Sequence, residues 1–169
     1  MAEVAREVAP WRRRIPQAVA MVLAAGLVAV ATLLLLRLND ANAEEDSRQS
    51  ALQVARQVAV GLTTVSKDTA QQDVSHLMDM ATGSFKDQFA QQADVFRKVV
   101  QQASVTSKGT VAEAGVSSVD GDTVTVLAAV SATVQNADAP SGEQRQYRMK
   151  MQLQHDGDRW LVSDLEFVP

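Results

Sequence analysis

The two histidines are the only side chains of this sequence whose ordinary pKa lies near neutrality. His76 lies three residues after Asp73, a spacing that brings both side chains to one helix face, where an aspartate can orient a histidine as a general base. However, such pairs are common on solvated helix faces, and His76 falls off the apolar stripe of Val74 and Leu77. We therefore expect a solvent-exposed pair. We also expect His155, beside a turn, at the surface end of a strand.

Other groups with chemical potential lack suitable partners in the sequence. The chain has no cysteine, which excludes disulfides, thiolate metal sites and a thiol nucleophile. The two histidines have no metal-ligand spacing, and the 8 glycines are dispersed, so no phosphate-binding loop is predicted. Ser84, Ser104 and Ser107 have no adjacent base. We therefore predict a protein that is not an enzyme, with no catalytic, cofactor-binding or metal-binding residues and no cofactor.

Four methionines allow two interpretations. Methionine can line adaptable pockets for apolar ligands, which would make a lipid a partner, but it more often fills a core. We expect the core role and keep the lipid pocket as an alternative. The residues concerned are Met78, Met80, Met149 and Met151.

The charge distribution excludes one class of partner. Residues 39–169 hold 11 basic and 18 acidic side chains, and only 4% of the chain is aromatic. Binding to nucleic acid needs a basic surface and, for single strands, aromatic stacking. We therefore expect no nucleic-acid partner.

The N-terminal part predicts a membrane anchor. Residues 18–36 contain 17 apolar residues among 19, a run that spans about 28 Å as a helix, close to the thickness of a bilayer core. Three arginines at 12–14 precede it, and acidic residues follow. The positive-inside rule then predicts a cytoplasmic segment 1–14 and a transmembrane helix 15–38. The remainder is expected outside the plasma membrane, on the extracytoplasmic (periplasmic) side.

A cleavable signal peptide is the alternative for this segment. Residues 41–43 form an Ala-x-Ala motif after a basic and an apolar stretch. The apolar stretch, residues 18–36, is longer than the roughly 7 to 15 residues usual in signal peptides. An uncleaved anchor is therefore our prediction.

Helical periodicity dominates up to residue 103. We predict a stalk helix and linker over 39–68, ending near Gly61, because apolar residues recur at helical spacing. A second helix follows Thr69, which begins a capping-box pattern, and Gly83 is expected to end it. Ser84 is expected to cap a third helix. The predicted buried face of this helix carries Phe89, Phe96, Val99, Val100 and Ala103.

The apolar period changes from 3.6 to 2 after Lys108, which predicts strands. Asp-Gly-Asp sequences at 120–122 and 156–158 are typical of hairpin turns, because glycine accepts positive φ. The strands predicted are 111–119, 123–134, 145–155 and 159–167. We therefore expect an α+β domain over 69–169, with about three helices packed on a four-stranded antiparallel sheet. Its expected shape resembles the nuclear-transport-factor-2-like cone, with the aromatic face of the third helix as the main cover of the sheet.

Several segments, in order, resemble the Mce-associated membrane proteins of mycobacteria and related actinobacteria. They follow a short basic N-terminus and a single span, and the resemblance covers about residues 18–169. The segments are Leu62-Thr63-Thr64 through Asp68 and Asp73, Ala81-Thr82-Gly83-Ser84-Phe85, Ala114-Gly115-Val116, and the stretch from Asp156 to Glu166.

The resemblance implies a function and partners. It implies a non-catalytic accessory subunit that stabilises an Mce (mammalian cell entry) lipid-import transporter, with Mce proteins and permease subunits as partners. An alternative is a cone-shaped bitopic subunit of a type IV secretion or conjugation channel, which shares the order of anchor, helices and sheet. A lipid-binding module is a further alternative.

Overall fold

The first helix of the structure, α1, occupies residues 44–63. The structure is a computed structural model that describes residues 44–169, of which Asp46–Pro169 form one compact unit. None of the helices in this part of the chain combines the length and apolarity needed to cross a membrane. The predicted cytoplasmic segment, transmembrane helix and Ala-x-Ala motif, together with the first residues of the predicted stalk, lie outside the described residues.

Three helices are present in the described residues, as the periodicity predicted. After α1 come α2 (Ala70–Asp79) and α3 (Gly83–Gln102). Gly61 does not end α1, which continues to residue 63. The Thr63 hydroxyl donates to the carbonyl of Ala59 at 2.7 Å, so the last turn of α1 is stabilised by a side chain as well as by the backbone.

The junctions before α2 and α3 differ in detail from the prediction. Thr69 precedes α2, but its hydroxyl donates to Asp73 Oδ2 at 2.9 Å instead of accepting a backbone N–H. Gly83 does not end α2; it begins α3, with a positive φ of 53°. Ser84 is not a cap, because its hydroxyl donates to the Ser163 carbonyl at 3.0 Å. The junction is shaped by a strand far along the chain, which a local pattern does not reveal.

Within residues 44–169, one antiparallel sheet contains five strands in sequence order, so the prediction of four is wrong by one. The unpredicted strand, β1 (Val65–Ser66), pairs only with the start of β2 and is too short to show alternation. The other four agree with the predicted hairpins, although β2 begins five residues earlier than expected. They are β2 (Thr106–Asp120), β3 (Thr123–Gln135), β4 (Glu143–Asp156) and β5 (Arg159–Phe167).

Both Asp-Gly-Asp turns form the predicted hairpins. Gly121 and Gly157 have φ values of 55° and 61°, which only glycine adopts without steric cost. The backbone N–H of His155 donates to the Asp122 carbonyl at 3.2 Å, so the two turns lie side by side at one end of the sheet.

The inward face of the sheet forms the core with α1. Alternate residues of β3 and β4 are buried, as predicted from the period of two. Ala51, Ala55 and Ala59 of α1 are fully buried in the same cluster. Because these alanines recur every four residues on one face, the helix backbone can approach the sheet closely. The buried residues of the two strands are Val124, Val126, Ala128, Val130, Ala132, Met149, Met151 and Leu153.

The third helix is not the main cover that the aromatic pattern suggested. α3 contributes Phe85 to the central cluster, and Phe89 packs against it half-buried. Phe96 instead packs on a separate small cluster that includes Val100. Val99, predicted to be buried, is 54% exposed. The single alanine-rich face of α1 therefore takes the place predicted for α3.

Candidate functional site

An open groove of about 590 Å³ lies where α1, the end of α2 and the β4–β5 turn meet. Its base is apolar and includes Trp160, Leu161 and Met80. Its walls carry the polar side chains of Ser50, Gln53, Gln57, His76, Asp79, Asp158 and Arg159. The groove thus offers hydrogen-bonding groups above an apolar surface, the usual composition of a recognition site.

A second concavity, of about 550 Å³, shares Gln53, Gln57 and His76 with the first. It continues along the exposed side of α1 towards Arg56 and Asp73. Gln53 and Gln57 are four residues apart and therefore project from one side of the helix. The two concavities together form one continuous groove, which we call the α1–α2 groove.

Arg159 fixes the end of this groove. Its Nη2 donates to the backbone carbonyl of Asp79 at 2.9 Å, which ties the first residue of β5 to the last residue of α2. Arg159 thereby satisfies one of the carbonyls left without a partner at the helix C-terminus. The guanidinium also places positive charge where the helix dipole favours it.

The structure places Asp73 and His76 on one side of α2 without pairing them. The Asp73 carboxylate accepts a hydrogen bond from the Thr69 hydroxyl at 2.9 Å and from the Ser66 N–H at 3.4 Å. His76 is exposed on the groove wall, as predicted. Because the Asp73 carboxylate orients β1 and the start of α2 instead, it does not orient the His76 imidazole.

His155 lies at the end of β4 and is exposed, which agrees with the prediction. Its ring meets Trp160 edge-on, with the centroids 5.0 Å apart. The two residues are directly paired between β4 and β5. This contact is an aromatic cross-strand pair that stabilises the second hairpin.

The three serines considered for nucleophilic chemistry have structural contacts. Ser84 bonds to β5 as described above, and the Ser107 hydroxyl donates to the Thr63 carbonyl at 2.6 Å. Ser104 follows α3 with a φ of 50° and donates its N–H to the Gln101 carbonyl at 3.2 Å. These contacts connect helices to strands and turns.

The methionines divide between core and groove. Met149 and Met151 are fully buried in the sheet core. Met78 is half-buried, and Met80 packs against the core while lining the groove. Among residues 44–169, no three His, Asp or Glu side chains are grouped so that they could hold a metal ion.

An ion pair on the outward face of the sheet shifts one pKa in a testable way. Lys150 Nζ lies 2.8 Å from Glu166 Oε1, and the hydrogen bond and charge of Glu166 raise the pKa of Lys150. A raised pKa means that this stabilisation is complete below the ordinary lysine pKa and is lost as pH rises through the folded value. We expect Glu166→Gln to return the pKa of Lys150 towards its ordinary value in an NMR titration. Glu143→Gln, which removes the partner of Arg145, is the control and should leave the Lys150 pKa unchanged.

Sequence reasoning found each element of the α1–α2 groove but not the groove itself. The sequence points to His76 as a candidate residue, whereas Arg159 and Trp160 lie in a predicted strand that also carries the family resemblance. The groove joins residues more than a hundred positions apart, and the only local signal was the spacing of Gln53 and Gln57. The arrangement can bind a polar segment by hydrogen bonds.

The fold is shared with domains of known structure. The periplasmic domain of DotI superposes with a TM-score of 0.58 at 15% identity, over 70% of this chain and 92% of that one. An IcmL-like type IV secretion system protein from Legionella pneumophila gives 0.59 at 12% identity, over 72% and 92%. At these identities the similarity concerns the fold alone, and the α+β architecture expected from the sequence is confirmed.

Sequence comparison gives the family. A protein of Mycobacterium tuberculosis (strain ATCC 25618 / H37Rv), "Uncharacterized protein Rv1363c", is 30% identical over 177 aligned residues, which cover 99% of this chain and 67% of that protein. The family described as "Uncharacterized protein Rv1363c/MT1408-like" matches residues 13–169. The chain therefore belongs to the Rv1363c/MT1408-like family.

Proposed function

We propose that this protein is a non-catalytic, membrane-anchored assembly subunit of a multiprotein complex in the cell envelope. The observation that carries the proposal is the fold, which is that of the periplasmic domain of DotI and of a type IV secretion system protein. The hydrogen-bonding α1–α2 groove supports it, because such a surface suits a protein segment.

The anchor and its orientation belong to the same proposal. The apolar run 18–36, preceded by arginines 12–14, supports a single-pass plasma-membrane protein with a cytoplasmic N-terminus. The compact unit Asp46–Pro169 then lies on the extracytoplasmic side, where an acidic, cysteine-free domain folds without disulfide bonds.

We assign the complex to the class of Mce lipid importers, with Mce proteins and permease subunits as partners. The support is the resemblance of two segments, Ala81–Phe85 and Asp156–Glu166. These segments meet in space: the Thr82 N–H donates to the Val162 carbonyl at 2.8 Å, and the Val162 N–H donates to the Met80 carbonyl at 2.9 Å. The motifs therefore build the fold, and the resemblance supports a common architecture more strongly than a common contact surface.

A type IV secretion or conjugation channel is the second candidate. The specific observation that favours it is the similarity to two domains, one of them from a type IV secretion system, of which 92% is covered in each case. At 12% to 15% identity this similarity concerns the fold alone.

Affinity purification separates the two candidates. The tagged full chain is purified from its own membranes in mild detergent, and the associated proteins are identified by mass spectrometry. We expect Mce and permease subunits. Recovery of secretion-channel subunits would replace the first candidate by the second, and recovery of no envelope-complex subunit would refute both.

The α1–α2 groove gives the purification a matched control. Gln53 and Gln57 have no side-chain hydrogen bonds within residues 44–169, so replacing both by arginine disturbs a partner segment without removing an internal contact. The control replaces Gln91 and Gln92, on the exposed side of α3, by arginine as well. We expect the groove variant to lose its partners and the α3 variant to keep them.

A further inference from the structure

The outward face of the sheet carries an unpartnered apolar depression on β3. Leu127 and Ala129 alternate with the buried residues of this strand and therefore point outward. Leu127 is 46% exposed. Two shallow concavities of about 420 and 390 Å³ meet here and share Ala129, Arg148 and Val168. Exposed apolar surface of this kind on an ordered sheet is typical of an interaction site.

Two opposite charges flank the depression. Glu113 on β2 is paired in register with Ala129, and Ala129 with Arg148 on β4, so all three side chains point outward in one row. Because neighbouring strands are about 4.8 Å apart, the Cα atoms of Glu113 and Arg148 lie roughly 10 Å apart across β3. The two side chains form no ion pair with each other in the described residues.

Neither of these two charges has an ion-pair partner within residues 44–169. Nearby charges behave differently: Lys150 pairs with Glu166 at 2.8 Å, and Arg145 pairs with Glu143 at 3.0 Å. This row of the sheet thus carries one unpaired acid and one unpaired base, on opposite sides of β3. This arrangement is complementary to itself when one copy is turned about an axis along the strip.

We propose that the outward face of the sheet is an interface between two copies of this chain, related by a twofold axis parallel to β3. Such a rotation keeps every residue at the same height along the axis and exchanges the β2 side of the sheet with the β4 side. Ala129 then faces Ala129 of the second copy, and Leu127 faces Leu127. β2 of each copy lies over β4 of the other, so Glu113 of each copy meets Arg148 of the other, twice in the dimer.

General features of sheet packing and of isologous dimers agree with this geometry. Sheets that pack face to face lie about 10 Å apart with their strands within about 30° of each other. A twofold dimer requires one self-complementary surface, and the row from Glu113 to Arg148 provides it.

The sheet edges favour association through the face. The β5 edge is occupied, because Val162 forms backbone hydrogen bonds with the α2–α3 junction. The β2 edge is interrupted by two register shifts, and Arg56 Nη2 donates to the Ala114 carbonyl at 3.2 Å. Bulges and side chains of this kind discourage strand addition at an edge.

Thiol cross-linking locates the axis, because the chain has no cysteine of its own. Facing residues of two sheets about 10 Å apart are too distant for a direct disulfide. In the detergent-solubilised full chain we therefore expect Ala129→Cys to form a covalent dimer with a short bis-maleimide. Gln146→Cys is the matched control: it is exposed on the outward face of β4, away from the axis, and should remain monomeric. Equal cross-linking of both variants, or of neither, would overturn the proposed axis.

Charge reversal tests the partner. Glu113→Arg alone and Arg148→Glu alone place like charges opposite each other, so each variant should self-associate at least about tenfold more weakly than the parent chain. A mixture of the two variants restores both ion pairs and should form mixed dimers, measured by analytical ultracentrifugation with one variant fluorescently labelled. A mixture that stays monomeric would refute the second copy as occupant. Unchanged self-association of the single variants would refute it equally, because the copies would then associate through another surface.

Discussion

Replacing Gly109 by alanine should destabilise the domain by about 3 kcal/mol or more, one of the two largest effects we expect from a single substitution. A Cβ at this position would overlap Thr63 Oγ1 and lie 2.6 Å from Thr63 Cβ. Thr63 cannot move away easily, because it is buried and its carbonyl accepts the Ser107 hydroxyl. The free energy of unfolding in urea measures the effect.

Gly115→Ala is the matched control in the same strand. A Cβ at Gly115 would meet no atom within 4 Å. Because glycine is about 0.5 to 1 kcal/mol less favourable than alanine in a strand, this variant should be as stable as the parent or slightly more stable. If both variants lose the same free energy, the contact between α1 and β2 is not the cause.

The second large effect is expected at Leu77. Leu77→Ala should lower the free energy of unfolding by about 3 kcal/mol or more, because its fully buried side chain joins α2 to the central cluster and its removal leaves a cavity. Val99→Ala is the control. Val99 is an aliphatic helix residue that is 54% exposed. Its truncation should lower the free energy of unfolding by no more than about 0.5 kcal/mol.

A double-mutant cycle with Gly61 makes the Leu77 prediction sharper. A Cβ at Gly61 would lie 3.0 Å from Leu77 Cδ2. Gly61→Ala alone should therefore be close to neutral, since a gain of about 1 kcal/mol in helix propensity is offset by this tight contact. In the Leu77→Ala background the contact disappears, and Gly61→Ala should then recover about 1 kcal/mol. Additive effects would contradict the proposed packing.

The sequence predicts the sheet better than it predicts the helix contacts. In β3, burial alternates as the apolar pattern does, because one face of an antiparallel sheet is buried and the other is not. Asp-Gly-Asp turns fix the hairpins locally, since glycine supplies the positive φ at each turn. The strands and hairpin turns are therefore determined by residues that are neighbours in the sequence.

Contacts between residues distant in the sequence explain why the predicted helix boundaries and the predicted cover of the sheet were wrong. Ser84 and Gly83 had the residue types of caps, but Ser84 bonds to Ser163 and Gly83 is packed against it. The aromatic face of α3 suggested a core helix, whereas the small residues of α1 allowed α1 to approach the sheet more closely. Periodicity shows which face of a helix is apolar, but it does not show which helix packs most closely against the sheet.

The candidate site was beyond local patterns for the same reason. The exposure of His76 and His155 could be predicted from their positions relative to a stripe and a turn. The α1–α2 groove could not, because its residues come from α1, α2 and the start of β5. Nor does an alternating pattern show that Glu113 and Arg148 share a row, since this depends on strand register and on a bulge in β2.

The bridge between the α2–α3 junction and β5 also constrains the order in which the domain folds. Ser84 and Asp164, which meet at 3.3 Å, are 80 residues apart in the chain. Contacts of such separation require closure of a long loop and form slowly. β5 leaves the ribosome after the helices and the other strands of this domain. The junction between α2 and α3 therefore stays incomplete until β5 has been synthesised, and a chain truncated before Arg159 leaves the Thr82 N–H and the Met80 carbonyl without their partners.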